Sequence, residues 1–288
     1  MSTKKTTCNI CGAESHLLFN RTILNKYDAL YYRCDICDFM QTEKPYWLKE
    51  AYSKAITTLD VGLVARNLIL RDKTVRIIKK RFQYRNKVFL DYAGGYGLFT
   101  RLMRDMGFNF YNTDQQCQNI FAEHFDLKQF KTDNQKFELL TAFEVMEHLE
   151  KPLEELEKMF KFSESILFST EMQPKVPEKI TTWWYLVPEI GQHISFYSEK
   201  TLRVIANKFN CKMYSDGKSL HLFTNKTFKT NPLKDRLIIS SFKNIFHLFA
   251  RVRDKISRDI FKKSPLVSLV SQDFYLLKEK LNVTKSEH

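Results

Sequence analysis

Four groups of residues have types and spacings that can do chemistry. Cys8-Asn-Ile-Cys11 and Cys34-Asp-Ile-Cys37 form two C-x2-C pairs separated by 22 residues. A glycine cluster, Gly94, Gly95 and Gly97, follows the apolar run Val88-Phe-Leu-Asp-Tyr-Ala93, and a second carboxylate, Asp114, comes about 20 residues later. Phe143-Glu-Val-Met-Glu-His-Leu149 brings Glu144, Glu147 and His148 together, and Gly191-Gln-His-Ile-Ser-Phe-Tyr197 places His193 and Tyr197 among aromatics.

The cysteine spacing matches a four-thiolate zinc site, with Cys8, Cys11, Cys34 and Cys37 as ligands. A redox C-x-x-C would need a thioredoxin-like strand and helix around it, and none is present. The glycine cluster is neither the G-x-G-x-x-G of dinucleotide binding nor a phosphate loop with Gly-Lys-Ser/Thr. Asp91 stands near the end of the run that precedes it. A carboxylate there repels a pyrophosphate and suits a ligand carrying an ammonium and a sulfonium, while Asp114 is placed for ribose hydroxyls. Glycines at this point let the backbone turn and let a ligand approach without meeting a Cβ.

These groups need elements to hold them. Val88–Ala93 reads as a short buried strand, followed by a helix carrying Leu98, Phe99, Leu102, Met103 and Met106, with Gly107 as its C-cap. Phe108–Asp114 is a second strand, Gln115–His124 a short helix, and 121–131 supplies a few extended residues at best. Phe137–Phe143 and Ser165–Thr170 are further strands, with a helix opened by Pro152 between them. Residues 171–197 are an aromatic insertion containing Trp183-Trp-Tyr185. Ser198 caps a helix through Phe209, and 211–215 with 219–224 form a hairpin through Asp216-Gly217. Tyr31-Tyr-Arg33 is a small strand beside the second cysteine pair. In the connector, Tyr46, Trp47 and Tyr52 suggest an aromatic first helix and Asp60 an N-cap for the next. Asp60, Gly62, Arg66 and Asn67 read as a solvated face.

The glycine loop with its two acidic partners resembles motif I and the following acidic residue of class I S-adenosylmethionine (SAM) methyltransferases, with Ala93 where that family more often has its first glycine. Residues 143–149 resemble the E-V-x-E-H segment of small-molecule methyltransferases such as the ubiquinone-pathway O-methyltransferases. The resemblance implies a Rossmann-like α/β fold, a seven-stranded sheet with one reversed strand. It implies SAM as cofactor, held by Asp91, Ala93, Gly94, Gly95, Gly97, Asp114, Gln115 and Glu144. Glu147, His148, His193 and Tyr197 fall on the acceptor side, with His193 the first candidate for a base and Tyr197 placed to orient base or acceptor. A packed core histidine is the other reading of His193, and a helix-capping pair that of Glu147 and His148. Residues 8–225 resemble bacterial methyltransferases that include the nucleotide-sugar C-methyltransferases, without that group's large carboxyl-terminal domain. A small-molecule or glycan-linked acceptor follows.

The expected organisation is a zinc-ribbon lobe (1–40), a helical connector (41–86), a SAM-binding methyltransferase domain (87–225) and a basic amphipathic helical tail (226–288). Hydrophobic content of 43% supports a core, and no stretch is long and apolar enough to span a membrane. With no apolar signal core at the start, a cytoplasmic protein is expected. The +13 charge is concentrated late, since residues 226–288 hold 14 Lys/Arg against 6 Asp/Glu. Within 234–262, apolar residues recur every three to four positions opposite Lys and Arg, a pattern suited to an anionic membrane surface at the inner face. The same stripe suits packing on the core or on a second subunit, and the basic face suits RNA phosphates. An RNA methyltransferase and an inactive SAM-binding scaffold therefore stand beside the small-molecule enzyme.

Overall fold

The computed structural model describes residues 5–53, 60–130, 136–234 and 272. Two sheets organise them. The larger contains β5 (Val88–Tyr92), β6 (Asn109–Thr113), β7 (Leu139–Ala142), β8 (Ser165–Ser169), β10 (Lys212–Ser215) and β11 (Leu220–Thr224), in the order β10-β11-β8-β7-β5-β6. β6, β5, β7 and β8 pair in parallel, and β11 runs antiparallel to both β8 and β10. Every residue of β5, β7, β8 and β11 is buried, as expected for strands covered on both faces.

Helices supply that cover. On one side α2 (Leu63–Arg81) and α3 (Leu98–Asp105) bring Leu70, Val75, Ile78, Phe99 and Met103 onto Phe89, Phe110, Leu139 and Leu167. On the other, Leu156 and Met159 of α4 (Pro152–Phe162) and Leu202 and Ile205 of α5 (Glu199–Lys208) pack on Leu90, Leu140 and Ile166. Local chemistry sets the ends. Pro152 opens α4, the Ser198 hydroxyl accepts the Thr201 N–H at 3.0 Å to cap α5, and Gly107 leaves α3 at φ +84°.

The second sheet has the order β1-β2-β3-β4-β9, from β1 (Lys5–Thr7), β2 (Glu14–Ile23), β3 (Tyr27–Cys34), β4 (Met40–Thr42) and β9 (Ser195–Phe196). The amino-terminal strands thus pair with a strand from the insertion. Cys8, Cys34, Cys37 and Phe39 share an apolar cluster with Met146 and Tyr197 of the α/β domain.

The structure differs from the sequence reading in four places. The sheet has six strands among the described residues. Where a third crossover strand was expected there is one bridge, Asn112 to Asp126, and then a 3-10 turn, Leu127–Gln129, fixed by a reciprocal capping box between Asp126 and Gln129. The helix expected over Gln115–His124 is absent. The Asp114 carboxylate takes the N–H groups of Gln116 and Cys117 as a helix N-cap would, but the Ile120 and Phe121 N–H groups, which a helix would need, both go to the Tyr96 carbonyl at 3.0 Å, and the Asn119 side chain ties down Ala122 and Asp126. Asp60 does not cap α2, whose N-cap is Gly62; its carboxylate pairs instead with Arg66. Finally, residues 226–234, read as the start of the tail, pack against the α/β core. Phe228 and Leu233 pack on the α2–α3 core, Lys226 pairs with Glu138 at 2.9 Å, and Asn231 donates to the Ser215 carbonyl. The rest of the amphipathic stretch lies outside the described residues.

Candidate active site

A single cleft of about 1540 Å³ opens at the carboxyl ends of β5, β6, β7 and β8. The parallel strands end here, and the loops leaving them carry the polar groups. Ala93, Gly95 and Gly97 all have positive φ (52°, 55° and 80°), so the turn after β5 enters the left-handed region at alternate residues. Gly94 is a glycine for reasons of space. A Cβ on it would lie 2.1 Å from Asn112 Oδ1 and 2.3 Å from Asp91 Oδ2. A Cβ on Gly95 would meet nothing within 4 Å, because it faces the open cleft. Gly97 is not on the cleft wall; it packs beneath, against Asn119.

Asp91 is buried at the end of β5 with its carboxylate held by Thr141 (2.8 Å) and Thr100 (3.3 Å). Burial pushes its pKa up to about 7, the two hydroxyls offsetting only part of that effect. Asn112 Oδ1 beside it is buried and has no hydrogen-bond partner. Asp114 Oδ2 accepts the Gly95 N–H at 2.9 Å, which ties the end of β6 to the glycine turn. Across the cleft Glu144 (φ 54°) is fixed by Ser169, whose hydroxyl takes the Glu144 N–H at 2.7 Å and donates to its Oε1 at 2.6 Å. Arg66 pairs with both oxygens of Asp60 at 3.0 Å and approaches Glu144 at 3.6 Å.

This end of the cleft fits the SAM that the fold implies. The glycine turn leaves room at Gly95, and Asp114 and Gln115 line the wall. The carboxyl of Asp91 stands where a cationic amino acid end would be received.

The other end is built by two segments zipped together. The 3-10 turn Met146–His148 follows β7, and residues 192–197 run beside it. The Ile194 N–H donates to the Glu147 carbonyl (2.8 Å), Ser195 Oγ to the Leu149 carbonyl (2.6 Å) and Tyr197 Oη to the Met146 carbonyl (2.9 Å). That zipper sets the rings of His148 and His193 edge to face, 4.9 Å between centroids. His193 is 8% exposed, and its Nδ1–H donates to the Tyr185 carbonyl at 2.7 Å, so Nε2 keeps its lone pair in the neutral ring. Burial lowers its pKa to about 4, with the Arg66 charge acting the same way. His148 Nδ1 lies 2.9 Å from the Tyr52 hydroxyl, and burial together with His193 and Arg66 lowers its pKa to about 3. Glu147 lies fully buried below them and takes the Tyr185 hydroxyl on Oε1 at 2.5 Å. Burial first, and the charge of Glu144 second, push its pKa up to about 8.

The four cysteines also converge. Cys8 and Cys37 Sγ are 3.5 Å apart, Cys11 and Cys34 3.4 Å, and all four sulfurs lie within 4.8 Å of one another as free thiols. Tetrahedral zinc with Zn–S of about 2.3 Å separates its sulfurs by about 3.8 Å, so the set fits that ion. Each C-x2-C pair is a matching knuckle. Gly12 N–H returns to the Cys8 carbonyl and Asp38 N–H to the Cys34 carbonyl, and both Gly12 and Asp38 are left-handed.

Of the residues singled out from the sequence, Asp91, Ala93, Gly94, Gly95, Asp114, Gln115, Glu144, His148 and His193 line the cleft. Tyr197 does not. It is fully buried, its hydroxyl spent on Met146, and Tyr185 stands where Tyr197 was expected to orient the base. Tyr52, Arg66 and Tyr185 were missed as site residues. Arg66 lies among polar residues read as a solvated face, and only its pairing with Asp60 and Glu144 shows that it walls the cleft.

A family model described as a methyltransferase domain matches residues 65–216. The match takes in more than half of the chain, which belongs to this family of methyltransferase domains. Solved structures with a related fold include an O-methyltransferase family 2 protein from Planctomyces limnophilus in complex with apigenin (15% identity, 49% of this chain and 51% of that one, TM-score 0.37). Human N-acetylserotonin methyltransferase in complex with SAM (14%, 49% and 48%, 0.37) and the plantazolicin methyltransferase BpumL in complex with a monoazolic desmethylPZN analog and SAH (10%, 62% and 93%, 0.42) are others. The chain spans about half the length of the first two. No curated protein matches it. Among the described residues no helix is long and apolar enough to cross a membrane.

Proposed function

We propose that the protein is a SAM-dependent methyltransferase acting on a small-molecule or glycan-linked acceptor. One observation carries the reading. A single cleft holds the glycine turn with Asp91 and Asp114 at one end and the His148–His193 pair at the other, the division needed to set a methyl donor against an acceptor. Bound SAM supplies an electrophilic methyl on a sulfonium, and its transfer is an in-line displacement that needs alignment more than covalent help. Asp114 and the Gly95 backbone receive the nucleoside end. Asp91 and Glu144 meet the amino acid end. Tyr52, His148, Trp184, Tyr185 and His193 surround the acceptor.

His193 acts as the acceptor-side base in this reading. The Tyr185 carbonyl holds its tautomer, so the cleft receives a lone pair and not a proton. The structural zinc site would anchor the sheet that ends in β9 and so the position of His193, two residues before it. The test is incubation of purified protein and SAM with metabolite extracts, followed by mass spectrometry for species that gain a methyl group. Methylated products that vanish with Gly95→Val support the reading. Absence of SAM binding by calorimetry overturns it.

A further inference from the structure

Glu147, His148 and His193 offer one ligand atom each, all within 4.8 Å of one another. Their surroundings leave specific atoms uncommitted. His193 spends Nδ1 on the Tyr185 carbonyl and has Nε2 to give, while the His148 ring engages the Tyr52 hydroxyl through Nδ1 and lies beside the Gln192 backbone. Glu147 gives Oε1 to the Tyr185 hydroxyl, and its Oε2 is buried with no hydrogen-bond partner. The Thr170 hydroxyl, close enough to lower the Glu147 pKa slightly, is buried and also lacks a well-formed hydrogen bond. An orphaned buried carboxylate oxygen is costly unless something meets it.

We infer that Glu147, His148 and His193 form a second metal site, taking a divalent first-row ion such as Mn²⁺ or Zn²⁺ at the acceptor end of the cleft. Two imidazoles and one carboxylate suit such ions, and three protein ligands leave positions open toward the cleft. The outer contacts are those such a site needs. A carbonyl on His193 Nδ1, a phenol oxygen on His148 Nδ1 and a phenol on the carboxylate each orient a ligand, and the carbonyl also fixes the His193 tautomer. The nearest cation, Arg66, already faces Asp60 at 3.0 Å and Glu144 at 3.6 Å. An ion here would bind an acceptor oxygen directly and take from His193 the role of base. This inference deepens the acceptor-side reading above, but ion binding stands or falls without methyl transfer.

The test titrates Mn²⁺ onto full-length protein whose cysteine site carries zinc, with free Mn²⁺ followed by electron paramagnetic resonance. One saturable Mn²⁺ per chain is expected. Glu147→Gln and His193→Ala should abolish the added ion, and Tyr52→Phe should weaken it by about 10–100-fold. The bound Mn²⁺ of the unsubstituted protein should also show spin-echo modulation from coordinated imidazole nitrogen, which reads the site even if a variant fails to fold. No saturable binding, binding unchanged in the folded variants, or bound Mn²⁺ without nitrogen modulation would each overturn the inference. If SAM binds and methyl transfer proceeds while no ion does, the metal site is rejected and His193 remains the base. If the ion binds but SAM does not, the methyltransferase reading is rejected and the site stands.

Discussion

Asp91→Asn gives the most quantitative test of the cofactor end. In the ligand-free cleft the Asp91 pKa is about 7, so near neutral pH the carboxyl is roughly half protonated. A cationic ligand binds the ionised form better and must displace the proton. Below pH 7 the Kd for SAM should therefore rise by nearly tenfold per pH unit and level off above it, each decade equal to about 1.4 kcal/mol. The amine of the ligand, with an ordinary pKa of about 7.7–8.0, stays mostly charged below pH 7, and its loss of charge above that pH weakens binding, the opposite slope, so it cannot mimic the effect. The same ionisation bears on stability, and its sign follows from the raised pKa. The unfolded chain releases the proton first, so the Asp91 contribution is fully present below pH ~4 and is lost as pH rises to about 7, a change of about 4 kcal/mol.

Calorimetry from pH 5.5 to 7.5 in buffers of different ionisation enthalpy measures Kd and proton release together. Asp91→Asn should bind SAM more weakly at pH 7.5, with a flat pH profile and with the proton release of the wild type missing. Its melting temperature should gain on the wild type as pH rises from 4 to 7. Glu147 shifts the same way and His148 and His193 the opposite way, so the comparison is between variant and wild type, not along either curve alone. A wild-type Kd that is flat over this range, or an Asp91→Asn slope equal to it, would refute the reasoning.

Gly94→Ala forces a Cβ to within 2.1 Å of Asn112 Oδ1 and should cost about 1–3 kcal/mol of stability, read as a lower melting temperature. Gly95→Val meets no atom within 4 Å, so beyond the strain of its φ of 55° it should chiefly remove SAM binding; NAD binding more tightly than SAM to the wild type would show the turn misassigned. Cys34→Ser should release one zinc and, because β4 pairs with β9, raise hydrogen exchange both in residues 5–42 and around His193; exchange confined to residues 5–42 would argue against that coupling. His193→Ala should lower turnover by about 10²–10⁴-fold with SAM affinity nearly unchanged, whereas Tyr197→Phe should change stability and not rate; a near-wild-type rate in His193→Ala shows that His193 has no role in the reaction. Truncation after Lys234, which spares the packed Phe228 and Leu233, should abolish salt-sensitive flotation with anionic vesicles while keeping SAM affinity; truncation after Asn225 should also lower the melting temperature.

Short-range chemistry was legible in the sequence. The C-x2-C pairs, the strand before Gly94, Pro152 and Ser198 at their helix starts, and the Asp216-Gly217 hairpin each depend on a few neighbouring residues. The glycine turn and Asp114 were legible for the same reason. The helix expected at 115–124 failed because N–H groups that a helix would use go elsewhere, those of Ile120 and Phe121 to the Tyr96 carbonyl in the glycine turn and that of Ala122 to the Asn119 side chain. Long-range pairing had no local signal. β9 is two residues long and exists because β4 offers it an edge, so nothing in Ser195-Phe196 announces that the cysteine lobe and the His193 segment share a sheet. Tyr185 and Tyr197 are alike as residues, and both stood in the aromatic insertion. The zipper between 146–149 and 192–197 turns Tyr197 into the core and leaves Tyr185 to hold Glu147 and His193. Residue types thus determined which chemistry the chain carries, while contacts between segments far apart in sequence decided which of those groups face the cleft.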